Sequence, residues 1–203
     1  LLGGTALAVS ANVLNQIFEI ETDKLMARTS DRPLVTGTIS VKNAYIYSIF
    51  LALTGFIILF TQTTPVAAYI ALMANIFYSF IYTLILKPRT NQNIVIGGAA
   101  GAAPVLIGWA ATGTELDTGS WLLFLLVFLW TPAHFWALSI ENVEDYRGAE
   151  FPMLPTQESK KRTSIFIGVY SCATVITSLL IAPVLQLGLI YLEDFHFDFD
   201  SLK

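Results

Sequence analysis

Residues 43–86 read NAYIYSIFLALTGFIILFTQTTPVAAYIALMANIFYSFIYTLIL and contain no charged side chain. The segment is 44 residues long, whereas one helix needs about 20 apolar residues to cross a hydrocarbon core about 30 Å thick. Near its middle, the polar sequence Thr61-Gln62-Thr63-Thr64-Pro65 is typical of a place where one helix stops and another starts. The segment therefore predicts two membrane-spanning helices joined by a short turn.

Four further segments without charges have about the length of a membrane span: 1–18, 90–114, 118–140 and 163–192. None alternates strictly as a membrane β-barrel strand does, and all are too long for such a strand. The sequence thus predicts an all-α fold, a polytopic transmembrane helical bundle. One domain would cover 1–192, and an acidic C-terminal tail would cover 193–203. The six predicted spans are 1–20, 43–60, 66–86, 94–112, 119–140 and 163–185.

The composition excludes several classes of protein. Hydrophobic residues make up 55% of the chain and charged residues 13%, whereas a soluble domain has about 25% charged residues. This balance excludes intrinsic disorder. A net charge of −4 without a basic patch argues against nucleic-acid binding. One cysteine, Cys172, and two histidines exclude a disulfide framework and disfavour a zinc site.

The basic residues predict how the bundle is oriented. Of the 11 Lys and Arg residues, all but Lys203 fall in the connections after the first, third and fifth predicted spans. The other connections, 61–65 and 113–119, contain none. By the positive-inside rule, the basic connections lie on the cytoplasmic side of a cell membrane, or on the matrix side of a mitochondrial inner membrane.

Acidic residues lie where two of the spans reach this inner face. Asn15, Glu19 and Asp23 are spaced four residues apart, so they would share a helix face within an arc of about 80°. The inner end of the fifth span carries a second acidic group, Glu141, Glu144 and Asp145. One amide and several carboxylates suit Mg²⁺, which prefers oxygen ligands. The alternative is that these are ordinary helix-end charges in the headgroup layer.

Basic residues and a tyrosine accompany both acidic groups. Because Arg guanidinium groups match phosphate oxygens, these residues predict contacts to a diphosphate. A site at this depth opens onto apolar helix walls, so the predicted substrate has a charged head and a hydrocarbon tail, as a prenyl diphosphate does. For any single basic residue, setting the topology is the simpler explanation. The predicted diphosphate contacts are Arg28, Arg32, Lys87, Arg89 and Tyr146, and Arg147 lies beside the second acidic group.

Three long segments can be compared with known families. They read NQIFEIETDKLMARTSDRPLVTG at 15–37, LKPRTNQNIVIGGAAGAAPVLIGWAATG at 86–113, and WTPAHFWALSI followed by EDYRGAEFPMLP within 130–155. In these segments the chain resembles the intramembrane prenyltransferases of the UbiA superfamily, and within it the branch that farnesylates heme. The resemblance covers nearly all of 1–185 and implies a fragment, because the family has further spans on both sides.

The resemblance also implies which residues form the site. The first family motif, Asn-x-x-x-Asp-x-x-x-Asp, falls on Asn15, Glu19 and Asp23, with Glu19 in place of an Asp. The second, which is weaker in the heme branch, falls on Glu144 and Asp145 with Glu141 one turn earlier. Near this motif the family has a glycine where the present chain has Glu150.

The implied reaction is the formation of heme O. Farnesyl diphosphate would ionise with the help of Mg²⁺, a vinyl group of heme b would attack the allylic cation, and water would complete the new side chain. Heme b is then a substrate rather than a prosthetic group. The implied surroundings are the lipid bilayer, with no nucleic acid, and contact with heme A synthase or with oxidase assembly.

His134 is the one histidine within a predicted span. A lone histidine in a helical bundle is usually a hydrogen-bonded core residue, and the alternative here is a contact to the iron or edge of the heme. It lies seven residues before Glu141, about 10 Å along a helix. A heme between His134 and the inner-face carboxylates is therefore compatible with the spacing.

Two other functions compete with heme farnesylation. One is another UbiA-type prenyltransferase whose acceptor is a quinone precursor or another lipid, which the heme-branch segments disfavour. The other is a carrier or channel that uses the carboxylates as a cation pathway. A pathway of that kind needs charges at mid-membrane depth, whereas the acidic residues here lie at or outside the ends of the spans.

Overall fold

The computed structural model describes residues 1–187. Within this range the chain is all-helical and contains no strand, which confirms the predicted fold class. The acidic tail predicted at 193–203 lies outside the described residues. The helices are α1 Leu2–Phe18, α2 Ile20–Asp23, α3 Val41–Gln62, α4 Pro65–Leu86, α5 Asn93–Ala111, α6 Thr118–Glu141, α7 Val143–Gly148, α8 Leu154–Gln157 and α9 Lys160–Val184.

Five of these helices, α3 to α6 and α9, are long and apolar enough to cross a membrane. The chain is therefore an integral, multi-pass membrane protein by the length and composition of its helices. Helix α1 also contains no charged residue but has only 17 residues, so the six-span topology stays a prediction.

Polar side chains mark where the long helices begin. The hydroxyl of Ser40 accepts a hydrogen bond from the backbone N–H of Asn43 at the start of α3, and Thr64 does the same for Ala67 at the start of α4. Pro65 occupies the first position of α4, where its fixed φ fits and its missing N–H is not needed. The predicted break at 61–65 is thus the turn between α3 and α4.

Helix α1 packs closely against α3 because both helices carry a glycine at the contact. A Cβ on Gly55 would lie 2.7 Å from the carbonyl oxygen of Gly3, which is too close for any larger residue without a shift of the backbone. Deeper in the pair, the hydroxyl groups of Ser10 and Ser48 are 3.0 Å apart and both side chains are fully buried. A satisfied polar contact of this kind joins helices inside a membrane.

Helix α1 also runs parallel to α4, and the two are joined in a constant register. The side chain of Asn75 donates to the carbonyl oxygen of Leu7, that of Asn15 donates to Thr83, and that of Lys87 donates to Glu19. In each pair the residue numbers differ by 68. We call these three contacts the α1–α4 ladder.

The last ten residues of α4, Phe77–Leu86, form a π-helix. The backbone N–H of Lys87 donates to the carbonyl oxygen of Tyr82, and the hydroxyl of Thr83 donates to that of Tyr78, each five residues earlier. A π-helix is rare and often lies at a functional site. Here it carries Thr83 and leads into Lys87, the two α4 partners of the inner half of the ladder.

Candidate active site

Asn15, Glu19 and Asp23 are buried, with 7%, 6% and 1% of their surface exposed. The helix is distorted at Glu19, which separates α1 from α2. The backbone hydrogen bonds still link the three residues, because the N–H of Glu19 donates to Asn15 and the N–H of Asp23 donates to Glu19. The three polar side chains therefore lie inside the protein, where an unpaired charge would be costly.

Each of the two carboxylates is paired with a cation from elsewhere in the chain. The Nζ atom of Lys87 lies 2.6 and 2.7 Å from the two carboxylate oxygens of Glu19. The guanidinium of Arg32 donates to a carboxylate oxygen of Asp23 at 2.6 Å. Burial of both carboxylates is tolerable because these cations neutralise them. Lys87 and Arg32 were both predicted as diphosphate contacts, and the structure brings them to the first motif.

The loop after α7 forms the inner cover of this site. The ring of Phe151 lies with its centroid 4.6 Å from the Nζ atom of Lys87, a cation–π contact that gains strength when both groups are desolvated. Phe151 and Met153 are buried in one cluster with Met26, which follows the first motif, and with Tyr82. From the sequence this loop could be a lid over the site or a plain connector, and in the structure Phe151 of the loop contacts the lysine.

Tyr146 and Arg28 form a second polar contact at the inner face. Burial raises the pKa of the Tyr146 phenol, while the charge of Arg28 and hydrogen bonds with Ser139 and Arg28 oppose the shift. The phenol therefore stays protonated at neutral pH. Both residues were predicted to bind diphosphate, and the structure brings them together beside the buried carboxylates. Arg89, by contrast, is exposed.

The second acidic group occupies a different environment from the first. Glu141 and Glu144 are exposed, and Glu144 pairs with Arg147 one turn later on the surface of α7. Asp145 is half-buried. Among residues 1–187, no group of three or more His, Cys, Asp or Glu side chains lies close enough together to hold a metal. The structure therefore does not bring Glu141 and Glu144 to the buried carboxylates, and their role as ligands stays a prediction.

Glu150 follows α7 with a φ of +56°. This left-handed conformation is easy for glycine and strained for other residues. The glycine that the resemblance implies at this position would adopt this backbone more easily than the glutamate of the present chain does.

An apolar cavity of about 670 Å³ lies between α1, α4, α5 and α6, a volume typical of small-molecule sites. Its inner end contains Asn12, Tyr78 and Tyr82, and Asn12 precedes Asn15 of the first motif by one helical turn. Its wall on α5 runs from Ile94 to Ala111, which is about 26 Å of helix. The polar site therefore begins about one helical turn beyond the inner end of a long apolar chamber.

Two glycines of α5 contribute to this wall in different ways. A Cβ on Gly97 would collide with the ring of Tyr82, so α5 and α4 pack closely there. No heavy atom lies within 4 Å of the position that a Cβ on Gly101 would take. The absence of a side chain at Gly101 therefore leaves room in the cavity.

His134 lies on the outside of α6. Its ring is exposed and stacks on Trp130 with centroids 4.3 Å apart and planes 15° apart. It is not among the residues that line the cavity. The structure thus does not bring His134 to the first motif, and a heme contact through it stays a prediction.

The sequence reasoning did not single out several residues that the structure places at the site. Asn12 could have been found from its helical spacing to Asn15. The roles of Thr83, Tyr82 and Phe151 depend on long-range packing and left no local signal.

Comparisons with known proteins agree on one family. The family model described as the UbiA prenyltransferase family matches residues 1–193. Proteins named protoheme IX farnesyltransferase from Thermus thermophilus and a Synechococcus species are 45% and 46% identical to this chain over 94% and 95% of its length. A third, from Pseudarthrobacter chlorophenolicus, is 44% identical over 94%. The chain spans 31%, 59% and 60% of the length of these relatives, respectively.

Solved structures show the same fold. A UbiA homologue from Archaeoglobus fulgidus bound to DMAPP and Mg²⁺ superposes with a TM-score of 0.71 at 20% identity, over 91% of this chain and 67% of that one. The same coverage and identity, with a TM-score of 0.70, hold for a structure of a UbiA homologue from that organism bound to GPP and Mg²⁺.

Proposed function

The chain belongs to the UbiA prenyltransferase family, and from this premise we propose that it transfers a farnesyl group from farnesyl diphosphate to a vinyl group of heme b, which gives heme O. The names of relatives at 44–46% identity support the choice of heme as acceptor. We place the reaction at the inner face of a cell membrane or of a mitochondrial inner membrane, where the basic connections lie.

One observation carries this proposal. Two buried carboxylates, Glu19 and Asp23, are each paired with a cation, and they follow Asn12, which lines an apolar cavity of about 670 Å³, on the same stretch of chain. A substrate with an anionic head and a long apolar tail matches this combination of a charged mouth and a hydrocarbon-lined chamber. A prenyltransferase with a quinone-precursor acceptor would use the same donor site. The experiment must therefore distinguish heme b from a quinone precursor as the acceptor.

The first motif fits a Mg²⁺ ion, which the UbiA homologue structures contain. The amide nitrogen of Asn15 donates to Thr83, which leaves the amide oxygen to bind the metal. The carboxylates of Glu19 and Asp23 complete a set of oxygen ligands of the kind that Mg²⁺ prefers. When bound, the ion supplies positive charge that eases departure of the diphosphate.

The cations of the site would then exchange partners. Lys87 and Arg32 neutralise the carboxylates in the free protein. With Glu19 and Asp23 holding a metal, both cations would be free to bind the phosphate oxygens of the substrate. Tyr146, protonated, donates from the same side with Arg28 beside it. The apolar chamber excludes bulk water and so protects the allylic cation until the acceptor attacks it.

The test uses the full-length protein in lipid vesicles with Mg²⁺, farnesyl diphosphate and either heme b or a quinone precursor. We expect heme O, identified by mass, only with heme b. Prenylation of the quinone precursor without prenylation of heme b would overturn the proposed acceptor. Cation flux across the vesicles with no prenyl transfer would favour the carrier function instead.

Substitution of Gly101 by Leu should fill the cavity and weaken binding of the donor. Because a Cβ at Gly101 meets no atom within 4 Å, the larger side chain would enter the cavity rather than disturb packing. We expect the KM for farnesyl diphosphate to rise at least about tenfold, the scale on which pockets discriminate small changes of apolar volume.

The matched control is Gly168→Leu on α9. Gly168 also has open space around its Cβ position, is exposed, and does not line the cavity. It should leave the KM unchanged. An unchanged KM in the Gly101 variant would show that the farnesyl chain lies elsewhere.

A further inference from the structure

Asn12 is an uncommitted polar side chain in the wall of the apolar cavity. It lines the inner end of the cavity, and within residues 1–187 its amide makes no hydrogen bond. The two asparagines that join α1 to α4 do have partners, since Asn75 donates to Leu7 and Asn15 donates to Thr83. Asn12 is exposed where it lines the cavity, so its amide is free to bind a molecule that enters the cavity.

The cavity that Asn12 lines is also lined by two tyrosines of α4, Tyr78 and Tyr82. The rings of these tyrosines stack with centroids 5.3 Å apart, and both line the cavity. Neither phenol has a hydrogen-bond partner in the described part of the chain. A buried water molecule typically makes about three hydrogen bonds, and one amide and two phenols can provide them.

We propose that Asn12 holds the water molecule whose oxygen becomes the hydroxyl group of the product. This inference rests on the proposed farnesylation of heme b, because that reaction consumes a water after the carbon–carbon bond has formed.

The C–O bond of farnesyl diphosphate breaks and its electron pair leaves with the diphosphate. The vinyl double bond of heme b supplies the electrons of the new C–C bond, so that the vinyl carbon next to the porphyrin becomes a cation. A lone pair of the water oxygen forms a C–O bond to this carbon, and the proton that the water loses passes to the departed diphosphate.

The same cation has a competing fate. If no water is held in place, the cation loses a proton from the neighbouring carbon to the diphosphate, and the product is an alkene that lacks one water relative to heme O. The ratio of the two products therefore reports on how well water is positioned.

An amide is suited to this position. Its oxygen accepts a hydrogen bond from the water and so orients the water lone pair, and it carries no charge. A carboxylate at the same place would attract the cation and compete as a nucleophile. The carboxylates of the first motif begin at Glu19, seven residues further along the helix and about 10 Å away in the direction of the inner face.

The experiment measures both products by mass from the full-length protein in vesicles with heme b and farnesyl diphosphate. Asn12→Leu replaces the amide by an apolar group of similar shape. We expect the ratio of heme O to alkene to fall about tenfold, the effect of losing one hydrogen bond at the branch point, with a smaller change in total farnesylated heme. Asn12→Ser, which retains a hydroxyl, should keep heme O as the main product.

The matched control is Gln16→Leu. Gln16 lies on the same helix but does not line the cavity, so the same kind of change should leave the ratio unchanged. Asn12→Ala adds no bulk, so the ratio of heme O to alkene can be measured with this variant if Asn12→Leu does not fold. A wild-type product ratio in Asn12→Leu or in Asn12→Ala overturns the role of Asn12. The complete absence of farnesylated heme with the wild-type protein contradicts the proposed function instead.

Discussion

Asp23→Asn should lower the rate of heme farnesylation by at least about 100-fold while leaving the protein inserted in the membrane. The substitution removes a carboxylate that is 1% exposed and lies in the first motif. Substitution of groups that only support metal ligands lowers metal affinity or activity about 10–100-fold. Loss of a proposed ligand should lower the activity by at least the upper end of that range. The measurement is the initial rate of heme O formation as a function of Mg²⁺ concentration.

The fold should tolerate this change. Arg32, the partner of Asp23, keeps 28% of its side chain exposed, so solvent can take the place of the lost carboxylate. Glu21→Gln is the matched control, because the Glu21 side chain is 83% exposed and pairs only with Lys24 on the surface. It should retain the wild-type rate. Full activity of Asp23→Asn would remove the argument for a metal at the first motif.

Lys87→Met should strongly destabilise the protein as well as inactivate it. The side chains of Lys87 and Glu19 are 13% and 7% exposed, so removal of the ammonium leaves a carboxylate without its partner in the interior. Breaking a buried ion pair in this way costs about 3–5 kcal/mol. The measurement is the free energy of unfolding in mixed detergent micelles, with prenyl transfer assayed in parallel.

A double variant separates stability from activity. Glu19→Gln combined with Lys87→Met removes both charges, so most of the lost stability should return, whereas the activity should not, because both a proposed metal ligand and a diphosphate contact are gone. Lys24→Met at the exposed Lys24–Glu21 pair serves as control, since exposed pairs contribute at most about 1 kcal/mol. Equal destabilisation by Lys24→Met and Lys87→Met would contradict the structural role of the buried pair.

The helical class could be predicted from the sequence because the information is local. Segments of about 20 residues without charge specify membrane helices almost irrespective of their neighbours, and the four-residue spacing of Asn15, Glu19 and Asp23 places them on one face of a helix. The π-helix at Phe77–Leu86 could not be predicted in the same way. It contains neither Pro nor Gly, and its wider turns accompany contacts with α1, which lies far away in the sequence.

The partners of the site residues were predicted less well, because charge and spacing do not reveal distance in space. Lys87 was predicted to contact a diphosphate from its place in a basic connection, but its pairing with Glu19 spans 68 residues. Glu144 was predicted beside the metal from its similar depth. In the structure Glu144 pairs with Arg147 three residues later on the surface of α7, and its place beside a metal stays a prediction.

The α1–α4 ladder has a mechanical consequence for a protein that works at a fixed depth in the bilayer. Sliding α1 by one turn against α4 would separate Asn75 from Leu7, Asn15 from Thr83 and Glu19 from Lys87 simultaneously. We therefore expect α1 and α4 to tilt together as one unit when the thickness of the bilayer changes. The distance from the ion pairs of the site to the outer end of the cavity would then be the same in different lipid environments.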